Sequence, residues 1–206
     1  MINKKGLLLV VSGPSGTGKG TICKDIVAKH EDINLSISAT TRNPRVGEVE
    51  GKSYFFKTKE EFEAMVDRGE FLEHAMIYDN YYGTPKKAIF DELDMGRDVI
   101  LEIEMQGAMQ IKEVYPQAVF IFVLPPSLQE LRNRIVGRGT ETEEQIEKRF
   151  NSAYDEIKLL GDYDYFIFNN IVEKSSEEIL NILEVEKNKV SRYKKDILDM
   201  FEKEIK

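Results

Sequence analysis

Little in this chain could build structure through covalent or metal links. Its 206 residues include one cysteine, Cys23, which excludes an intrachain disulfide. Two histidines, His30 and His74, leave no cluster with the spacing of a structural zinc site. Long apolar runs are lacking too: Leu7 to Val11 is far too short for a signal-peptide core or a membrane span, and no cleavage pattern follows it. Positive charge is in deficit. A net charge of −8, despite 29 Lys plus Arg, repels a polyanion on average, so no sequence-independent grip on DNA or RNA is expected. These absences point to a reducing, cytoplasmic setting without membrane or nucleic-acid partners, where any anionic ligand is held locally by placed arginines.

Hydrophobic residues make up 41% and charged residues 32%, ordinary for a chain that folds around a core. The length suits one compact unit carrying smaller mobile subdomains. Leu7-Leu8-Leu9-Val10-Val11 reads as a strand buried on both faces and should be the first, central one. From Lys19 onward, Ile22, Ile26 and Val27 recur at helical spacing. Val99 to Ile103, Val119 to Leu124 and Tyr165 to Phe168 are further strand-like runs separated by helical or mixed segments, which favours a parallel sheet with helices on both faces. Residues 35–82, with short alternating pieces, several aromatics and a helical segment at Thr58 to Arg68, look like an inserted α+β subdomain. Thr140 to Leu160 is charged and helical in pattern. Ser175 to Lys206 reads as one long amphipathic helix with Ile179, Leu183, Val190, Ile197 and Phe201 on its buried face.

Between the first strand and first helix lies Gly13-Pro14-Ser15-Gly16-Thr17-Gly18-Lys19-Gly20-Thr21, which meets the pattern G-x-x-x-x-G-K at Gly13, Gly18 and Lys19. Glycines let the backbone curl so that its N–H groups point inward, the lysine neutralises phosphate, and the helix N-terminus adds a favourable field. A glycine turn with a surface lysine would carry the same triplet, but the strand before and helix after are the context that phosphate binding requires. The strict motif has Ser or Thr after the lysine as a magnesium ligand. Here Gly20 stands there and the hydroxyl comes one place later, at Thr21, a G-K-G-T form that resembles nucleoside monophosphate kinases.

Downstream, Ser38-Ala39-Thr40-Thr41-Arg42-Asn43-Pro44-Arg45 sets two arginines beside three hydroxyls, which suits a phosphate monoester approached by fork-shaped donors, or a solvated turn. The segments S-I-S-A-T-T-R-N-P-R-V-G-E-V-E-G-K-S-Y-F-F, G-E-F-L-E-H-A, N-Y-Y-G-T-P and L-E-I-E-M-Q-G follow in one order, and with them the chain resembles the guanylate kinase family from about Leu7 to Asn169. The resemblance implies a P-loop NTPase-type α/β fold: a core of residues 1–34, 83–130 and 160–206, a GMP-binding subdomain at 35–82 and a helical lid at 131–159. It implies transfer of the γ-phosphate of MgATP to GMP, and to dGMP, giving ADP and a diphosphate without a covalent enzyme intermediate. Residues 13–21 and Asn169 would bind ATP. Ser38, Arg42, Arg45, Tyr54 and Tyr82 would hold the GMP phosphate, while Glu73 and Thr84 read the guanine edge. Guanine offers N1–H and N2–H₂ side by side to a carboxylate, and its O6 accepts from a hydroxyl; adenine lacks that donor pair.

Leu101-Glu102-Ile103-Glu104 ends a strand at the sheet's carboxyl edge, so both acids can face the site, one near magnesium or its waters and one near guanine; solvated acids are the alternative. Family members usually carry Asp at the second position, and Glu104 is one methylene longer. Thr21 and Glu102, directly or through water, are the metal-ligand candidates. The lid-like stretch R-I-V-G-R-G-T-E-T-E-E-Q-I-E-K-R-F supplies Arg134, Arg138 and Arg149, which with Lys19 and Arg42 would surround the transferred phosphoryl group; Arg132 reads as an ordinary surface charge. The family's usual Asn-Asp stands here as Asn169-Asn170. The GMP phosphate is already ionised at neutral pH, so no general base is asked of His30 or His74. A kinase for another monophosphate would share the loop but not the guanine-edge pair, and guanylate-kinase-like scaffold domains, which bind peptides, typically have a degraded loop.

Overall fold

The computed structural model describes residues 4–77, 79–137 and 143–205. The first apolar run forms strand β1 (Leu8–Ser12), buried throughout. Helix α1 (Lys19–Lys29) starts directly from the glycine-rich loop. After β2 (Ile33–Leu35) come β3 (Ala39–Thr40), β4 (Phe55–Phe56), helix α2 (Lys59–Asp67), β5 (Phe71–Ile77) and β6 (Asn80–Pro85). Thr58 and Glu61 close the start of α2 reciprocally, each side chain accepting from the other's backbone N–H, which fixes the predicted helix. Helix α3 (Lys86–Asp94), β7 (Asp98–Glu102), α4 (Met105–Val114) and β8 (Val119–Leu124) follow, then α5 (Leu128–Val136), α6 (Glu143–Ile157), a 3₁₀ turn and β9 (Tyr165–Phe168). Two helices, α7 (Val172–Glu186) and α8 (Val190–Ile205), end the described chain.

The main sheet is parallel, in the order β2-β7-β1-β8-β9, with β1 at its centre as its two-sided hydrophobicity requires. Side-chain alternation along β1 divides the core. Leu9 and Val11 pack with Ile22, Ile26, Ile179 and Leu183 on one face, while Leu8 and Val10 pack with Ile89, Leu93 and Ile111 on the other. All carboxyl ends of this sheet lie along one edge, and the loop after β1 and the acids after β7 meet there.

The second sheet, β4-β3-β6-β5, stands beyond that edge. Phe62 of α2 stacks between Phe71 of β5 and Tyr81 of β6, at 4.5 and 5.3 Å between ring centroids, and forms the subdomain's own small core. Strand β6 does not stop at Tyr82, where the sequence put the subdomain boundary, but runs on to Pro85, so Gly83 and Thr84 belong to the second sheet. Leu35, in turn, belongs to the core strand β2.

The single C-terminal helix expected from Ser175 onward is broken in two. Glu186, 3% exposed, accepts from Tyr165 Oη at 2.8 Å, Arg192 Nη2 at 2.9 Å and Lys189 Nζ at 3.1 Å, and Lys187 Nζ lies 2.9 Å from the buried Asp98. Buried carboxylates need such partners, and these pin the break between α7 and α8. A helical period read straight through a break assigns faces in the wrong phase: Ile179 and Leu183 are buried as expected, whereas Val190 and Phe201 are 67% and 53% exposed and Tyr193 is the buried residue of α8. No helix among the described residues is long and apolar enough to cross a membrane.

Candidate active site

The loop after β1 is held in shape from within and from outside. Thr17 Oγ1 donates to Pro14 O at 2.9 Å, and Lys19 Nζ donates to Gly13 O at 2.5 Å and Pro14 O at 3.2 Å, so the ammonium is drawn across the loop that contains Ser15 and Gly16. Gly18 starts α1 in a left-handed conformation, φ 89°, and a β-carbon there would stand 2.4 Å from Asn169 Nδ2; both facts require glycine. Asn169 packs against this loop. It is 3% exposed, its Nδ2 donates to Thr17 O at 2.7 Å, and its Oδ1 accepts from Ser175 Oγ at 3.2 Å. These contacts brace the loop and leave one amide N–H and one oxygen lone pair of Asn169 unused by them. Arg134 is also tied down: Nη2 donates to Asn169 O at 3.0 Å, Nη1 to Thr17 O at 3.4 Å and Nε to Glu130 at 2.9 Å. It is a clamp from α5 onto the loop, and Leu131 and Ile135 of the same helix pack on Gly16. Cys23 lies fully buried under the loop, and burial pushes its thiol up to about 12, so it is not a nucleophile at neutral pH.

Between the two sheets opens a cleft of about 380 Å³ whose wall includes Lys19, Ser38, Tyr54, Glu73, Tyr82, Glu102 and Glu104. Of the residues singled out in the sequence, these seven come together. Alternation along β5 turns Glu73, Ala75 and Ile77 into the cleft and leaves His74 and Met76 exposed. Glu73 is only 8% exposed, and burial raises its carboxyl above the ordinary range, opposed by the Thr84 hydrogen bond. Thr84 is placed otherwise than expected. It is 1% exposed, is absent from the cleft wall, and donates to Glu73 Oε1 at 2.5 Å, so its hydroxyl sets the carboxylate rather than facing the space in front of it. On the other side Gly107 of α4 presses on the same group: a β-carbon there would lie 2.8 Å from Glu73 Oε2. Gly107 carried no role in the sequence reading, though a glycine inside a helix is itself a signal, because it weakens the helix.

The arginine segment forms the rim of this cleft. Tyr54 and Tyr82 stand edge to face with centroids 6.1 Å apart, and the Arg42 guanidinium lies over Tyr54 at 5.4 Å. Arg42 Nη2 donates to Glu48 Oε1 at 2.8 Å and its Nη1 to Asn43 O at 2.7 Å, while the other Glu48 oxygen accepts from the Arg45 backbone N–H at 2.7 Å. Arg42 holds the Glu48 carboxyl below the usual carboxylate range. Glu48 was missed by the sequence reading; its signal was a carboxylate three residues after Arg45, closing a turn in which its own N–H donates to Arg45 O. The Arg45 side chain is exposed, and neither arginine lies in the cleft wall itself.

Glu102 ends β7 and Glu104, past the end of the strand, precedes α4; both line the cleft, as does Ile103 between them. Glu102 opens onto the cleft but is otherwise surrounded by protein, which raises its carboxyl; Lys19 and Lys24 act against that and Glu104 adds to it. A third carboxylate arrives from α6. Glu156 accepts from Ser152 Oγ at 2.9 Å, its Oε2 is buried without a hydrogen-bond partner among the described residues, and its carboxyl is raised by burial and by Glu104. Thr21 is exposed on α1 and is not part of the cleft wall, so of the two expected metal donors only Glu102 faces it. No group of three or more His, Cys, Asp or Glu that could hold a metal exists among the described residues. One carboxylate beside a phosphate loop nevertheless fits magnesium, which binds through one or two carboxylates, its waters and nucleotide phosphates.

In the lid region Arg132 pairs with Glu147 and lies over Phe150 at 5.9 Å, the surface role read from sequence. Arg138 lies outside the described residues; Arg149 falls on α6, but its side chain is likewise outside them.

A family model described as guanylate kinase matches residues 5–186. The chain is 66% identical over 205 residues to the guanylate kinase of Clostridioides difficile (strain 630), covering 100% of each. It is 56% identical over 193 residues to that of Caldanaerobacter subterraneus subsp. tengcongensis, covering 94% of each. A crystal structure of guanylate kinase from Anaplasma phagocytophilum aligns with a TM-score of 0.76 at 37% identity, over 93% of this chain and 92% of that one.

Proposed function

The chain belongs to the guanylate kinase family and phosphorylates GMP from ATP to give GDP and ADP, and on that premise we propose which of its residues carry the reaction. One observation carries the assignment: Lys19 of the phosphate loop and the Glu73, Tyr54 and Tyr82 side chains of the second sheet line a single cleft, so donor phosphate and acceptor share one space. ATP phosphates lie on the inward N–H groups of residues 13–21, with Lys19 swinging from the Gly13 and Pro14 carbonyls onto them. Asn169 and Arg134 act through the loop, by keeping the Thr17 carbonyl turned away from the phosphates.

GMP enters from the second sheet. Glu73 accepts the guanine N1–H and N2–H₂ pair; each carboxylate oxygen accepts two hydrogen bonds, so the one from Thr84 does not block it. Thr84 and Gly107 position that carboxylate, and Glu104, in the same cleft wall, meets the base. Ser38, Tyr54 and Tyr82 hold the phosphate with Arg42 and Arg45, and Glu48 keeps the Arg42 guanidinium at the Tyr54 ring. dGMP presents the same base edge and phosphate and is accepted likewise.

An ionised phosphate oxygen of GMP attacks the γ-phosphorus in line and the β–γ bridging bond breaks, leaving ADP, with no proton to remove and no covalent enzyme intermediate. Magnesium bound with ATP supplies charge neutralisation at the phosphate oxygens, and Glu102 is the residue that would face it, directly or through water. Arg138 and Arg149 are assigned from sequence as lid cations that close over the transferred group, and residues 35–82 as the GMP-binding subdomain. A cytoplasmic site of action is in keeping with the single, buried thiol.

Two variants test the assignment. Lys19→Ala should abolish transfer with the circular-dichroism spectrum of the native protein, and Arg42→Ala should raise the KM for GMP while leaving that for ATP within about twofold. Native-like turnover in folded Lys19→Ala refutes the loop assignment.

A further inference from the structure

Strict phosphate loops carry a hydroxyl residue directly after the lysine, where it binds the nucleotide's magnesium. Gly20 holds that place here, in the first turn of α1 and not in the left-handed backbone region, so backbone conformation does not call for glycine. Space does. A β-carbon on residue 20 would stand 2.9 Å from Glu102 Oε1, 3.0 Å from Oε2 and 3.3 Å from Cδ. Glu102 is held there by its strand, since β7 runs beside β1 with Glu102 in register with Val11. Thr21, the next hydroxyl along, is exposed on α1 outside the cleft wall.

We propose that Gly20 and Glu102 work as one unit: the glycine leaves a gap beside the phosphate loop, and the Glu102 carboxylate fills it and takes over the oxygen-donor position of the missing hydroxyl. Gly20 is therefore a positioning residue for a magnesium-facing carboxylate. The inference rests on the phosphate-loop reading given above. The atoms that a new β-carbon would meet are the end of a flexible side chain, so a methyl group at position 20 pushes the carboxylate aside and leaves the helix intact. That separates this role from a structural one.

The test uses the full chain as wild type, Gly20→Ala, Glu102→Asp and the double variant. Alanine adds the β-carbon without adding a donor. Three quantities are measured: Mn²⁺ affinity in the ADP complex by electron paramagnetic resonance, ADP affinity in EDTA by titration calorimetry, and the melting temperature without nucleotide. Gly20→Ala should weaken Mn²⁺ binding about tenfold, the scale for losing a group that orients a metal's surroundings. Its melting temperature should hold or increase, since alanine favours helix α1 over glycine, and its EDTA–ADP affinity should change less than its Mn²⁺ affinity. In the Glu102→Asp background, where the carboxylate is one methylene shorter and clear of the gap, the same alanine should add no further loss. Wild-type Mn²⁺ affinity in Gly20→Ala, or an equal loss in both backgrounds, overturns the proposal. Loss of EDTA–ADP binding in Gly20→Ala overturns it as well, because the loop itself would then have been bent. If wild type binds no ADP, the phosphate-loop reading falls with it.

Discussion

Replacing Glu73 by Gln changes one oxygen for an NH₂ group and leaves the shape of the cleft alone. Thr84 Oγ1 donates to one carboxylate oxygen at 2.5 Å, so the remaining amide oxygen takes that hydrogen bond. The new NH₂ then faces guanine, where two N–H groups need an acceptor. At least one charge-assisted hydrogen bond is lost, worth about 1.5–3 kcal/mol. At about 1.4 kcal/mol per decade this raises the KM for GMP by about 10- to 150-fold, with the KM for ATP unchanged. A coupled assay of ADP release with each substrate varied in turn measures both. Burial raises the Glu73 carboxyl above its ordinary 4.5, so acid neutralises it earlier than a free glutamate. The wild-type KM for GMP should therefore rise as pH falls toward that range, while the Gln variant does not respond to this group. Stability moves the other way. A raised native pKa means that the ionised form is disfavoured by folding, so above that pKa wild type carries a penalty which the neutral Gln does not. Without nucleotide the variant should melt higher at pH 7, and the difference should vanish below pH 4.5, where both side chains are uncharged. An unchanged KM for GMP, or an equal rise for ATP, would refute the guanine-edge role of Glu73.

Gly107→Ala puts a methyl group against Glu73 Oε2 and displaces the carboxylate, so the KM for GMP should rise on the order of tenfold, about one hydrogen bond's worth. The melting temperature should hold or increase, because alanine favours helix α4 by up to about 1 kcal/mol over glycine; a fall in stability with unchanged KM would count against the positioning role. Asn169→Ala removes the brace on Thr17 O and should cost about 1–3 kcal/mol of stability in a denaturant titration, together with a raised KM for ATP. Cys23, buried with its thiol pushed up to about 12, should resist alkylation in the native protein at pH 8 and react only after unfolding, as mass spectrometry can follow.

The sequence carried the core and the loop because both are local signals. A run such as Leu7 to Val11, of strand length and stopped by Ser12-Gly13-Pro14, reads as a strand covered on both faces, and the spacing of Gly13, Gly18 and Lys19 describes a backbone shape. Glu73 and Glu102 were legible because strand alternation decides which way they face, whereas Glu104 reaches the cleft from beyond the end of β7. Hidden from the sequence were relations between residues distant along the chain. That Thr84 is turned onto Glu73, that Asn169 and Arg134 grip the loop at Thr17, and that Gly20 and Gly107 make room for carboxylates are facts of packing with no periodicity of their own. The break before Val190 escaped for a related reason: Asp98 and Tyr165, which fix it through Lys187 and Glu186, lie far upstream.

The most direct measurement is ADP release at saturating MgATP with GMP, dGMP, AMP, CMP and UMP offered one at a time. Turnover with GMP and dGMP alone is the predicted result, because only guanine presents a donor pair to the Glu73 carboxylate. Comparable turnover with AMP, or none with any acceptor from the folded protein, would contradict it.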